Sequence, residues 1–141
     1  MATYFQGAVK AGAGFSEAAT GAGLAVFSQS AIISYDADLT QEATFVLPAN
    51  SQIIDIIADT LTAYNSATSA TLTVGSASAG TQYAGSVDAK TAGRARPTFS
   101  AAQLAAMDDI DTNKTVYATI TSVGQPTAGS TRVTIQYAIT E

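Results

Sequence analysis

The chain has 141 residues and a mass of 14.3 kDa, the size of one domain with one hydrophobic core. It is 47% hydrophobic but only 12% charged, with a net charge of -5, whereas soluble domains average about 25% charged residues. Histidine, cysteine and tryptophan are absent, which excludes disulfides, thiolate or imidazole metal sites, cysteine nucleophiles and histidine bases within this chain. We therefore expect a protein that is not an enzyme and that has no cofactor.

The six basic residues are scattered, and their densest group, residues 90–96, lies among glycine, alanine and threonine. Because a phosphate backbone is bound by a basic patch, we expect no nucleic-acid partner and interpret residues 90–96 as a solvated loop. No apolar run approaches the roughly 18 residues of a membrane span, and the N-terminus lacks the pattern of a signal peptide. We therefore expect no membrane association and synthesis in a cytoplasm.

Residues 2–30 combine small side chains and five glycines with isolated large apolar groups. Each glycine would cost a helix about 1 kcal/mol, and the segment is too apolar for an ordinary disordered linker. We predict an extended N-terminal arm over residues 1–30 and a folded domain over residues 31–141. Four aromatic side chains of the arm are the candidate partner-binding residues: Tyr4, Phe5, Phe15 and Phe27.

After residue 30 the apolar residues alternate with polar ones, the pattern of half-buried strands. Residues 31–35 and 43–47 are predicted strands, each followed by turn-forming residues. Residues 51–62 are rich in β-branched side chains and favour a strand with Asp55 and Asp59 on the face opposite the buried one. A helix remains the alternative there, because several of the isoleucines and a leucine also fit one helical face.

The middle of the chain continues the pattern. Residues 70–74 alternate as a half-buried strand, and residues 81–84 predict a weaker one. The sequence SAAQ at 100–103 matches a capping box, in which the serine hydroxyl and the glutamine side chain satisfy backbone donors at a helix start. It predicts one short helix near residues 101–107.

The last quarter of the chain contains two long alternating runs, residues 116–121 and 132–139, separated by a glycine- and proline-containing turn at 124–129. We predict that these two strands form a hairpin. Short strands at this spacing with only one helix indicate an all-β fold, an antiparallel, jelly-roll-like β-sandwich.

Three acidic residues close together, Asp108, Asp109 and Asp111, are the best candidate for a metal site. Carboxylates at this spacing can ligate Ca²⁺, but the known calcium loop is longer and ends in a glutamate that is missing here. A solvated acidic turn between helix and strand is therefore the favoured interpretation, and no metal is expected.

The remaining polar residues are mostly threonine and serine. Short hydroxyl side chains lose little conformational entropy when they are ordered, and low charge weakens repulsion between copies. The sequence therefore favours a component of an assembly.

Three strand patterns resemble small virion proteins of tailed bacteriophages: ATFVLPANSQIIDI at 43–56, ATSATLTVG at 67–75 and TRVTIQY at 131–137. These are head decoration (cement) proteins, head fibres or spike bases with a β-sandwich body, and the resemblance covers roughly residues 31–140. It implies a homotrimer that sits on the shell of major capsid protein, on the exterior of the virion, and stabilises it. The alternatives are a head-fibre, spike-base or tail attachment protein and, from another class, a module that binds Ca²⁺ or carbohydrate.

Overall fold

The structure is a computed structural model that describes residues 25–108 and 110–140. These residues form eight strands and one short helix, with the following bounds: β1 Val26–Ser34, β2 Thr40–Leu47, β3 Ser51–Thr62, β4 Ser69–Gly75, β5 Ala84–Asp88, β6 Gly93–Ala95, α1 Ala101–Asp108, β7 Lys114–Val123 and β8 Ser130–Ile139.

The strands form two four-stranded antiparallel sheets. Sheet A has the order β1-β8-β3-β6 and sheet B the order β2-β7-β4-β5. The pairing is nested, since the first strand pairs with the eighth, the second with the seventh, the third with the sixth and the fourth with the fifth. The predicted antiparallel β-sandwich is confirmed.

The core lies between the sheets and is built by the alternation that the sequence shows. In both sheets alternate side chains face inward, and several of these are fully buried: Leu47, Ile56, Leu72, Ile120 and Ile135. Burying a side chain of this size stabilises the fold by about 1.5–3 kcal/mol. The core therefore accounts for why a chain with few charges and no disulfide adopts one packed domain.

The prediction of a hairpin between the last two strands is wrong. The strand β7 pairs with β2 and β4 in sheet B, whereas β8 pairs with β1 and β3 in sheet A. The six residues between them carry the chain from one sheet to the other, with Gly124 and Gly129 at positive φ. Alternation identifies a strand, but it does not identify the strand's partner.

Two further differences concern sheet edges. The weak strand predicted at 81–84 lies later in the chain, at Ala84–Asp88, as β5. Part of the loop predicted at 90–96 forms the three-residue strand β6, which pairs with Ala58, Asp59 and Thr60 of β3. The β-branched content of residues 51–62 did predict β3 with its observed bounds, and Asp55 and Asp59 lie on its outer face, where they pair with Arg96 and Arg94. Short edge strands depend on a neighbouring strand, so local sequence identifies them poorly.

The sandwich begins earlier than residue 31. Residues 26–30, which the sequence assigned to the arm, belong to β1 and are paired with β8 without interruption. The rest of the predicted arm, with Tyr4, Phe5 and Phe15, lies outside the described residues and stays a prediction.

The helix α1 confirms the prediction at 101–107, and its capping box forms as expected. The backbone N–H of Gln103 donates to the Ser100 hydroxyl (3.2 Å), and the Ser100 N–H donates to the Gln103 side-chain oxygen (2.9 Å). Met107 is the buried residue of the helix, and it anchors α1 against the core.

A buried tyrosine closes the end of the sandwich at which β1 ends and β8 begins. Tyr64 is 1% exposed, and its hydroxyl donates to the Ile33 carbonyl over 3.0 Å. Burial raises the pKa of Tyr64 to about 12, and the negative charge of Asp36 adds to the rise. Gly129 lies directly against the ring, where a Cβ would come within 2.5 Å of Cγ and Cδ1. The β7–β8 connection therefore fits over Tyr64 only because residue 129 has no side chain.

Candidate functional site

Two of the three acidic residues that the sequence singled out lie within the described part of the chain, in separate surroundings. Asp108 ends α1, and its carboxylate accepts a hydrogen bond from the Gln52 side chain (2.9 Å), while Asp111 is exposed in the following turn. Asp109 lies outside the described residues. Within residues 25–108 and 110–140 there is no group of three acidic residues placed to hold a cation.

An open depression of about 380 Å³ lies between α1 and the segment that leads into β5, and six residues line it: Thr81, Gln82, Ser100, Ala102, Gln103 and Ala106. The side-chain oxygens of both glutamines already accept hydrogen bonds. Gln82 accepts the Ser76 N–H (3.1 Å), and Gln103 accepts the Ser100 N–H in the capping box. Its lining includes no acidic or basic side chain, so the depression offers no group for acid–base chemistry.

The charges on the outer face of sheet A are paired on its β3–β6 side. Arg94 donates to both carboxylate oxygens of Asp59 (2.6 and 3.2 Å), and Arg96 lies 3.2 Å from Asp55. The hydrogen bond from Arg94 holds the pKa of Asp59 below its ordinary value, against a small effect of burial. Two of the five basic residues in the described part of the chain are thus paired with aspartates of β3, and they hold the short edge strand β6 and the residue after it against β3.

The opposite side of the same face carries no charge along β1. We call its five outward residues the β1 strip: Val26, Ser28, Ser30, Ile32 and Ser34. Val26 is 57% exposed and Ile32 is 54% exposed. Sequence reasoning missed both residues, because Val26 lies within the predicted arm and Ile32 within a strand whose buried face was not assigned.

The β8 residues beside the strip extend this surface. Gln136 and Thr134, both partly exposed, pair with Ser28 and Ser30, and Arg132 pairs with Ile32, whereas Ala138 beside Val26 is buried. The uncharged surface therefore spans two adjacent strands, with one cation near its end.

The outer face of sheet B is rich in hydroxyl groups. Thr119 is fully buried on this face, because the β4–β5 loop folds over it and the Ala79 N–H donates to its hydroxyl (2.9 Å). Six further threonines share the outward positions: Thr40, Thr44, Thr71, Thr73, Thr115 and Thr121. Many of the short hydroxyl side chains that the composition placed on the surface thus lie together on the outer face of sheet B.

Of the aromatic residues predicted to bind a partner, only Phe27 is described. It lies on the inward side of β1, half-buried against the chain's own core, with its ring centroid 5.8 Å from that of Tyr137. The next inward residue, Gln29, donates to the Val46 carbonyl of β2 (2.9 Å) and links the two sheets at this edge. The structure thus gives Phe27 a contact within its own chain.

A second group of exposed apolar residues lies at the end of the sandwich that Tyr64 closes. It consists of side chains at the ends of β1, β2, β3 and β7: Tyr35, Leu39, Leu61 and Val123. The loop between β1 and β2 is ordered by Asp36, whose carboxylate accepts the Asp38 N–H (2.7 Å). The sequence places these apolar residues beside turns, but only the fold brings the turns together at the end of the sandwich that Tyr64 closes.

The described residues thus define an antiparallel β-sandwich whose outer faces are poor in unpaired charge. Among solved structures, it is similar to a chain of the cyanophage Pam1 capsid asymmetric unit, with a TM-score of 0.59 and 21% identity over 96% of this chain and 99% of that chain. At this identity the likeness establishes a shared fold. A scan against protein-family models matches no family, and a search of the curated proteins finds no match. Within the described residues, no helix has the length and apolar character needed to cross a membrane.

Proposed function

We propose that this protein is a structural component of a phage virion, a trimeric decoration protein that binds the head shell and stabilises it. The observation that carries the proposal is the likeness in fold, over nearly the whole of both chains, to a chain of a cyanophage capsid asymmetric unit. The strand patterns at 43–56, 67–75 and 131–137, which resemble those of phage head proteins, also support it.

The strand order supports the same class. Eight strands in two four-stranded sheets with nested pairing support a jelly roll, a form of β-sandwich used in viral capsid domains. The proposal is that the protein has no enzymatic activity and acts only through its surfaces.

The surfaces support a role in assembly. The β1 strip combines uncharged hydroxyl and apolar groups, so contact with other subunits there costs little desolvation of charge, and the outer face of sheet B adds its threonines beside Glu42 and Asp88. In the proposed arrangement the partners are copies of this chain and the major capsid protein, and the protein sits on the capsid exterior. Tyr4, Phe5 and Phe15 of the N-terminal arm anchor it to neighbouring subunits.

Binding to capsids that lack the protein tests the proposal. The full-length protein is expected to cosediment with such capsids and to raise their melting temperature. A variant with Tyr4, Phe5 and Phe15 all changed to serine is expected to bind at least tenfold more weakly, whereas Leu104→Ser on the exposed side of α1 serves as the control. No binding by the wild-type protein would refute the decoration role, and equal binding by the arm variant would refute the anchoring role.

Copy number distinguishes lattice decoration from attachment at a vertex, head fibre or tail. A decoration protein is expected in hundreds of copies per virion, because it follows the shell lattice. Quantitative mass spectrometry of purified virions measures this ratio to the major capsid protein. A few tens of copies would instead identify a fibre, spike-base or tail attachment protein.

A further inference from the structure

The four edge strands of the sandwich differ in how they are protected from pairing with another chain. A sheet edge presents unpaired backbone donors and acceptors, and proteins protect such edges by short strands, charged residues, proline or bulges. The strand β6 has three residues and carries Arg94. The strand β5 has five residues, an irregular register with β4 and a residue at positive φ, Ser86. Both edges on that side of the sandwich are therefore protected.

The edge strands on the other side are longer. The strand β2 has eight residues, but it carries Glu42, and its Val46 carbonyl accepts the side chain of Gln29 from β1. The strand β1 has nine residues in uninterrupted register with β8, and it contains neither a charged residue nor a proline. Among the described strands, β1 is thus the edge that lacks every one of these protective features.

The outer face of β1 has the same character as its edge. Val26 and Ile32 are more than half exposed, and the residues between and beyond them are serines. The adjacent β8 positions are uncharged except for Arg132. Edge and face together form one continuous surface on which a partner chain displaces water from apolar and hydroxyl groups without desolvating a carboxylate.

The charge of the whole chain indicates what this surface meets. Each copy has a net charge of -5, so two copies repel each other wherever their carboxylates approach. The described acidic side chains lie outside the β1 strip, in the β1–β2 loop, on β2, β3 and β5, and around the end of α1. A basic partner would be attracted to those acidic positions, whereas a second copy meets the least repulsion at the uncharged strip.

We propose that the edge of β1, which pairs with no other described strand, and the β1 strip form the contact between copies of this chain. This inference deepens the proposed function, since it rests on a homo-oligomer, but it does not depend on binding to a capsid. In a closed ring the strip of one copy meets a different surface of the next copy, and each copy uses its strip once.

The test is the mass of the protein in solution, measured by light scattering after size-exclusion chromatography over a range of concentrations. Two full-length variants place a charge on the strip, Ile32→Lys and Ser30→Lys. Leu104→Lys is the matched control, because Leu104 is 53% exposed, almost the same as Ile32, but lies on α1. Ser30 is an exposed serine, so its substitution leaves the core intact and remains informative if Ile32→Lys folds poorly.

The wild-type protein and Leu104→Lys are expected at oligomer mass. The two strip variants are expected at monomer mass, with a dissociation constant raised at least tenfold and a wild-type far-ultraviolet circular dichroism spectrum. A monomeric wild-type protein, strip variants of unchanged mass, or equal dissociation by Leu104→Lys would each overturn the proposal. Strip variants that melt at lower temperature with unchanged mass would show that the chain's own residues cover the strip, which also overturns it.

Parallel sedimentation with capsids keeps this outcome separate from the proposed function. If the wild-type protein forms an oligomer that the strip variants disrupt, but none of them binds capsids, the decoration role fails and the contact surface remains. If the wild-type protein binds capsids while the strip variants keep its mass, the contact surface fails and the decoration role remains.

Discussion

The contact between Gly129 and Tyr64 makes a quantitative prediction about stability. Gly129 has φ +151°, a backbone conformation that side-chain-bearing residues rarely adopt, and a Cβ there would lie 2.5 Å from two ring atoms of Tyr64. The ring cannot move away freely, because it is buried and its hydroxyl is bonded to the Ile33 carbonyl. Gly129→Ala therefore combines backbone strain with a steric clash.

The two contributions can be separated with a second glycine. Gly93 has a similar φ of +131°, but a Cβ there meets no atom within 4 Å. Gly93→Ala should lower the free energy of unfolding by the backbone strain alone, about 1–3 kcal/mol. Gly129→Ala should add about 1–3 kcal/mol for the clash in a packed site. The expected total, about 2–6 kcal/mol, is a large fraction of the roughly 5–15 kcal/mol that stabilises a typical domain.

Urea unfolding followed by far-ultraviolet circular dichroism, at one protein concentration, measures these differences. In a Tyr64→Ala background the clash is removed, so Gly129→Ala should then cost no more than Gly93→Ala does. Two results would refute this account of the loop. One is an equal loss of unfolding free energy for Gly129→Ala and Gly93→Ala in the wild-type background. The other is a loss for Gly129→Ala that is as large in the Tyr64→Ala background as in the wild-type background.

Three other predictions concern single interactions. Tyr64→Phe should flatten the alkaline loss of stability, because a raised folded-state pKa of about 12 makes the wild-type protein lose stability as pH rises from about 10; an unchanged pH profile would contradict this. Arg94→Ala should destabilise the protein at pH 7, and its deficit should vanish as pH falls through the lowered pKa of Asp59, where the carboxylate loses its charge in both proteins; a deficit that persists in acid would contradict an ion pair. Ser100→Ala should cost about 1 kcal/mol, or roughly 2–4 °C in melting temperature, while Ser100→Asp should retain most of the cap; equal melting of the alanine and aspartate variants would contradict the cap.

The parts of the fold that the sequence predicted are those that depend on residues close together in the chain. The β-branched content of residues 51–62 predicted β3, and the capping box at 100–103 predicted α1 with its hydrogen bonds. In each case the physical cause is local: the preference of β-branched side chains for extended backbone, or the reach of a side chain to a backbone N–H three residues away.

The parts that failed depend on residues far apart. The strands β7 and β8 were predicted to form a hairpin because they are neighbours in sequence, yet each is held by strands from other parts of the chain. The strand β6 was missed because three residues have little intrinsic strand character, and they are held by pairing with β3 and by the bond from Arg94 to Asp59.

The candidate surfaces follow the same division. Composition alone predicted surfaces poor in charge and rich in short hydroxyl side chains, and it excluded histidine and cysteine chemistry within the chain. Only the tertiary structure decided that two arginines neutralise aspartates on one side of sheet A, and that β1 is a long uncharged edge on the other. The reason is physical. The sequence determines which side chains are present, whereas strand pairing across the whole chain determines which charges meet and which sheet edges stay open.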